Sequence, residues 1–197
     1  MGDSDETRAR IIQATGRVLA RMGFGTVGVN AIAKEAGVGK PLIYRYFGGL
    51  PGLLAAYGAS TDFWPSPAEL LTGLARDASY ARMLGTFLGN YLRALLKRPH
   101  TREILAWELL ESNPLTAGLD KVLSARARET VASVTNRPAP PTGVDAAAIN
   151  AVLIAAVHYL TIRSRVMKRF SGLSIRTADD WKRIEAAVAY LAQRAYS

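Results

Sequence analysis

One stretch limits what this chain can fold into more than any other: Ile32 to Phe47, IAKEAGVGKPLIYRYF. It reads as a short helix ending at Ala36, a tight turn on Gly37, Val38 and Gly39, and a second short helix opened by Pro41. Glycine admits the backbone angles that reverse a chain within a few residues. Proline is favoured in the first turn of a helix, where its missing N–H would have no partner anyway. Two short helices joined in this way form a helix-turn-helix unit. Ile43 and Phe47 are spaced one helical turn apart and pack inward, which leaves Lys40, Pro41, Tyr44 and Arg45 pointing outward. A lysine, an arginine and a tyrosine on one exposed helix suit phosphates and base edges. On residue types alone, a solvated basic face is an equally good reading.

The chain around this unit has 197 residues, 49% hydrophobic and 21% charged, the balance of a folded globular protein. That length suits one sizeable domain, or a small module joined to a larger one. A net charge of +9 favours an anionic partner, nucleic acid first and an anionic membrane surface second. The absence of cysteine removes disulfides, thiolate chemistry and cysteine-bound zinc. Met1 to Thr7 is polar and partly acidic, unlike a secretory signal, so the expected location is cytoplasmic. Ala146 to Leu160 is the most apolar run. Asn150 and His158 interrupt it, and it falls short of the roughly 20 residues of a membrane-spanning helix, so a buried helix is predicted there.

Helical periodicity accounts for the rest of the chain. Asp3 to Met22 forms a first helix, with Asp3 as its cap and Ile11, Thr15, Val18 and Met22 on one stripe, and Gly23 ends it. Val29 to Ala36 and Lys40 to Phe47 follow, then a fourth helix from Leu50 to Phe63. Trp64-Pro65-Ser66-Pro67 is the clearest break, and Ser66 to Glu69 reads as a capping box that opens a helix to about Asp77. Further helices are predicted over Tyr80 to Arg98, Thr101 to Glu111, Asn113-Pro114 to about Thr135, Val144 to about Phe170 and Ala178 to Tyr196, with Arg137 to Gly143 as a proline-rich loop. No alternating strand pattern or internal repeat stands out. The expected fold is all-α, with about ten helices.

Little in the sequence points to catalysis. Gly23-Phe24-Gly25-Thr26-Val27-Gly28 matches G-x-G-x-x-G, but a dinucleotide site needs a preceding strand and here a helix precedes it. These glycines are read as hinge and cap residues. His100 and His158 lack metal-ligand spacing, and Glu108 and Glu111 could share a helix face beside Trp107 but read more simply as solvated. With no nucleophile, phosphate loop or metal cluster, no catalytic residue, metal or cofactor is predicted. Trp64, Phe87, Tyr91, Trp107, Glu108, His158 and Tyr159 mix aromatic surface with a few polar groups, as small-molecule sites do, although each one singly reads better as ordinary core. A helix apolar round most of its circumference, as Val144 to Leu160 is, needs cover on more than one side.

Ile32, Ala33, Ala36, Gly37, Val38, Lys40, Ile43, Tyr44, Tyr46 and Phe47 together follow the pattern I-A-x-x-A-G-V running into K-x-x-L-Y-x-Y-F. Through them, residues 8 to 54 resemble the DNA-binding domain of TetR-family transcriptional regulators. The chain departs from the family at Gly28, where a threonine or serine is usual, at Leu42, often threonine or alanine, and at Leu50, usually lysine. The resemblance implies an N-terminal three-helix helix-turn-helix DNA-binding domain over residues 1–49. Residues 50–197 would then form a helical-bundle domain for effector binding and dimerisation. Candidate DNA contacts are Arg45 to guanine, Pro41 to a thymine methyl, and Lys40, Tyr44 and Tyr46 to phosphates, with Leu42 and Thr26 beside them. The aromatic group above becomes the candidate effector pocket, and Ala151, Ile154, His158, Ile184, Val188 and Leu191 the candidate dimer interface. The implied protein is a homodimeric, ligand-responsive repressor whose partners are a palindromic double-stranded operator and an unidentified small molecule, with no membrane. Two alternatives are a basic helical protein on an anionic membrane surface, through Arg163 to Arg169, and a small helical enzyme using Glu108 and Glu111.

Overall fold

The computed structural model describes residues 3–133 and 138–196, without the side chains of Asp3 and Val131. The capping expected of Asp3, the helix end at Thr135 and the loop start at Arg137 lie outside the described residues. Those described form ten helices and one short hairpin, so the fold is all-α as expected: α1 Asp3–Met22, α2 Val29–Ala36, α3 Lys40–Phe47, α4 Leu50–Gly58, α5 Pro67–Leu70, α6 Tyr80–Leu96, α7 Pro99–Glu108, α8 Pro114–Ala132, α9 Ala146–Arg163, β1 Arg169–Phe170, β2 Leu173–Ser174 and α10 Ala178–Ala195. The chain divides into two compact units, Met1–Trp64 with Arg98–Glu129, and Pro65–Lys97 with Thr130–Ser197. The unit that carries the helix-turn-helix therefore takes in more than residues 1–49.

In the first unit α1 is the central element. Ile11, Val18 and Leu19 of α1 are fully buried, as are Ile32 of α2, Ile43 of α3 and Leu53 of α4. Gly16 lets the Tyr57 ring lie directly on α1, since a Cβ there would stand 2.7 Å from that ring. Later helices fasten onto the same unit: Thr101 donates to the Phe63 carbonyl (2.8 Å), and the Trp107 indole to that of Ala20 (3.3 Å). The fourth helix stops at Gly58 rather than Phe63. Just beyond it the Ser60 hydroxyl takes the Tyr57 carbonyl, a local bond that competes with helix continuation.

In the second unit α6 packs against α9 and α10. Its side chains also end α5: Ser66 caps that helix as predicted, but Asn90 donates to the Leu70 and Thr72 carbonyls (2.8 and 2.9 Å), so the helix stops at Leu70 and not near Asp77. Helix α9 is long and apolar enough, by length and composition, to cross a membrane. Its polar residues are nonetheless engaged by protein. Asn150 donates to the Tyr80 hydroxyl (2.7 Å) and accepts from that of Tyr196 (2.8 Å), while His158 meets Tyr91.

The largest departure from the sequence reading lies after Arg163. The helix expected to reach Phe170 ends there, and β1 and β2 pair antiparallel, with Arg169 opposite Ser174 and Phe170 opposite Leu173. Ser171 and Gly172 form the two-residue turn with φ of 47° and 80°, the left-handed geometry that tight hairpins require. Two-residue strands carry no alternation that a sequence pattern can show.

Candidate nucleic-acid interface

The geometry of the candidate site begins with α2, which positions the turn. Its C-terminus is held to α1 by Arg10, which donates to the Ala36 carbonyl (3.0 Å), and by Glu35, which accepts from Arg17 (2.8 Å) and Arg21 (3.3 Å). The hydrogen bond from Arg17, then that from Arg21, keeps the Glu35 carboxyl below its ordinary pKa. Gly37 closes α2 in the left-handed conformation (φ 63°), giving its N–H to the Lys34 carbonyl, and Val38 follows to that of Ala33.

Helix α3 then starts after Gly39 with Pro41 in its first turn. Ile43 is fully buried, and Lys40, Pro41, Tyr44 and Arg45 are exposed, Tyr44 by 51%. Leu42, Tyr46 and Phe47 are half-buried. The outward set is the predicted one. At its far end α3 is pressed against α4 so closely that a Cβ on Gly52 would stand 1.9 Å from the Phe47 carbonyl oxygen.

Each cation of this surface rests near an aromatic ring. Lys40 Nζ is 6.0 Å from the Tyr44 ring centre and the Arg45 guanidinium 5.8 Å from that of Tyr46. Arg8 of α1 lies 5.6 Å from both Tyr46 and Phe47. The negative face of a ring attracts a cation and limits the directions a long side chain samples. Arg8 was not among the predicted contacts. The available signal was its spacing, one turn before Ile11, which sets it beside the core stripe at the start of α1. Thr26 is exposed and donates to the Met22 carbonyl (2.6 Å), while Gly28 begins α2 with no side-chain cap.

The predicted pocket residues fall in both units. In the first, Trp64 is buried, Trp107 sits on the end of α1, and Glu108 is half-buried with its carboxyl pushed up, chiefly by burial and then by Asp120. In the second, Phe87 stacks on Tyr91 with ring centres 5.9 Å apart, and the Tyr91 hydroxyl bonds His158 Nε2. Burial pushes the His158 pKa down and favours its neutral form. Tyr159 does not join them; its ring packs edge-on against Phe170 at 5.3 Å.

Two expectations need correction. Ile184 and Val188 are 4% and 5% exposed within their own chain, so they are core of the second unit and unavailable to a partner. Leu191 (51% exposed) and Ala151 are accessible, and Ile154 and His158 half-buried; the larger exposed apolar surface is Val152, Ala155, Ala156 and Tyr159 with Ala187 and Tyr190. Glu108 and Glu111 also do not share a helix face. Helix α7 ends at Glu108, and the Glu111 carboxylate lies beside Gly23 and Gly25.

Known proteins give this geometry a context. Residues 11–57 match the family described as bacterial regulatory proteins, tetR family. The HTH-type transcriptional regulator BetI of Vibrio campbellii is 30% identical over 94 residues, 47% of either chain. The chain spans about half the length of the curated relatives it matches. Among solved structures, a TetR-like transcriptional regulator from Rhodococcus sp. RHA1 is 20% identical with a TM-score of 0.63, covering 95% of this chain and 94% of its own. FadR from Bacillus subtilis, solved with stearoyl-CoA, is 17% identical with a TM-score of 0.69, covering 93% and 96%. At such identities the structures establish a shared fold. That fold extends over nearly the whole chain, and the segment similar to the tetR family of bacterial regulatory proteins, residues 11–57, is the one that carries the exposed face of α3.

Proposed function

We propose that the protein is a homodimeric transcriptional repressor that occupies a roughly palindromic operator and leaves it when a small molecule binds. The observation that carries this reading is the outward face of α3, with Lys40, Pro41, Tyr44 and Arg45 standing on a buried Ile43 within the family's DNA-binding segment. Each α3 enters a major groove, and the two-fold places half-sites about one helical turn apart. Arg45 pairs with guanine and Pro41 touches a thymine methyl, while Lys40, Tyr44 and Tyr46 position the head on phosphates with Leu42 and Thr26 beside them. The exposed apolar faces of α9 and α10 meet those of a second copy.

Two observations favour a small-molecule effector: the stacked Phe87–Tyr91–His158 group in the second unit, and the fold shared with FadR, which was solved with stearoyl-CoA. An effector acts by binding the conformation that does not fit DNA more tightly than the one that does. It can shift the balance by no more than that difference in affinity. The protein works where the DNA is, in the cytoplasm.

Selection from random duplexes tests the reading, followed by titration against the selected and a scrambled sequence. A recovered inverted repeat bound by two chains is expected. Binding that ignores sequence would overturn the proposal.

A further inference from the structure

We propose that Arg8, at the start of α1 and outside the helix-turn-helix, binds a phosphodiester of the DNA backbone and is held in place for that contact by the rings of Tyr46 and Phe47. The proposal rests on the DNA-binding reading of α3 and adds an element to it. Arg8 is exposed, yet its guanidinium lies 5.6 Å from the centres of both rings, which themselves meet edge to face at 6.2 Å. The side chain is thus confined at the C-terminal end of α3, joining the first helix of the head to the third.

Arg45 occupies the same ring, 5.8 Å from the centre of Tyr46. Two guanidiniums share one aromatic ring, and neither has a carboxylate partner among the described residues. Like charges gathered around one ring repel, and an anion placed between or beside them removes that repulsion. Glu35, an acid of the neighbouring helix, is already engaged by Arg17 and Arg21. The surface is therefore complementary to an anion brought from outside.

On DNA the negative charge is carried by the phosphodiesters, and the position of the two rings agrees with a backbone contact. The N-terminal residues of a recognition helix reach base edges, so Pro41 in the first turn lies toward the floor of the groove. Tyr46 and Phe47 close the helix and lie toward the groove wall, where the backbone runs. A guanidinium fixed there neutralises charge and sets the register of the head without reading sequence. A purely structural role, covering the rings and complementing the C-terminal dipole of α3, would leave DNA affinity insensitive to the charge.

The experiment uses the full chain with the selected operator and a scrambled duplex, titrated at several salt concentrations. Arg8→Met keeps most of the ring cover and removes the charge; Arg8→Lys restores the charge. For Arg8→Met the expected result is a similar loss on both duplexes, roughly tenfold at about 0.15 M salt, and a salt slope smaller by about one per head. Arg8→Lys should recover the slope. An unchanged slope in Arg8→Met, or a loss confined to the operator, overturns the proposal. If Arg8→Met does not fold, a Lys variant bound with the wild-type slope supports the charge role, and one with a diminished slope overturns it. Failure of the wild-type chain to select any sequence would instead overturn the DNA reading itself.

Discussion

Arg45 extends from a helix whose buried face is fixed by Ile43, so its guanidinium has the solvent side of α3 open to it. A bidentate pair with guanine is worth about 1–3 kcal/mol of discrimination. Arg45→Ala should therefore lose roughly that much affinity at one operator position and relax the preference there. Equal losses on every duplex would remove Arg45 from base reading. Gly52 matters differently, because any side chain would place its Cβ 1.9 Å from the Phe47 carbonyl oxygen. Gly52→Ala must push α4 off the end of α3, and should destabilise the head by about 1–3 kcal/mol or more in urea unfolding while weakening operator binding. His158 brings pH dependence. Burial lowers its folded pKa below the roughly 6.5 of an unfolded chain, so the unfolded chain holds more protons between those values. Stability should fall as pH drops from about 6.5 toward the folded pKa, and His158→Gln should flatten that slope when urea midpoints are compared across it.

Helices α1, α2 and α3 were legible because their signals are local: an apolar stripe through Ile11 and Val18, left-handed glycines at Gly23 and Gly37, and Pro41 in a first turn. The end of α5, by contrast, is decided by a distant side chain. Asn90 of α6 takes the carbonyls that would have extended α5, a contact no window around Leu70 contains. The hairpin after α9 is fastened by Asp180, which accepts from Ser174 Oγ (2.7 Å) and from the backbone N–H groups of Arg176 and Thr177 (3.0 and 2.9 Å). These bonds, that from the Thr177 backbone foremost, hold its carboxyl far below the usual range. The attachment should therefore persist as pH falls through the ordinary carboxylate range and fail only well beneath it. Asp180→Ala should loosen the hairpin at every pH and speed tryptic cleavage at Lys168 and Arg169. Cleavage at the wild-type rate would mean that Phe170 on Tyr159 and the buried Ile175 suffice.

At the scale of the whole molecule, the two faces of α10 divide the work. Trp181, Ile184, Val188 and Ala192 face the interior of the second unit, and Ala187, Tyr190 and Leu191 are left outside. Ile184→Ala should lower chain stability by roughly 2–5 kcal/mol with little effect on association. Leu191→Glu and Val152→Glu should do the reverse, giving folded monomers by sedimentation. Two tethered heads gain about a hundredfold or more in avidity over one, so operator affinity should fall by at least that factor in these variants. Dimers of wild-type affinity would exclude this face as the interface.

The sequence by itself determined the all-helical class, the helix-turn-helix and the outward set Lys40, Pro41, Tyr44 and Arg45, because helix periodicity and turn chemistry act over a few neighbouring residues. Only the tertiary structure decided which apolar residues of the last two helices are used at home and which remain free. Periodicity assigns residues to a stripe without saying what covers it, and Ile184 and Leu191 look alike until α6 is in place. The same limit applied to Arg8, whose place in the site depends on α1 and the end of α3 meeting at the Tyr46 and Phe47 rings.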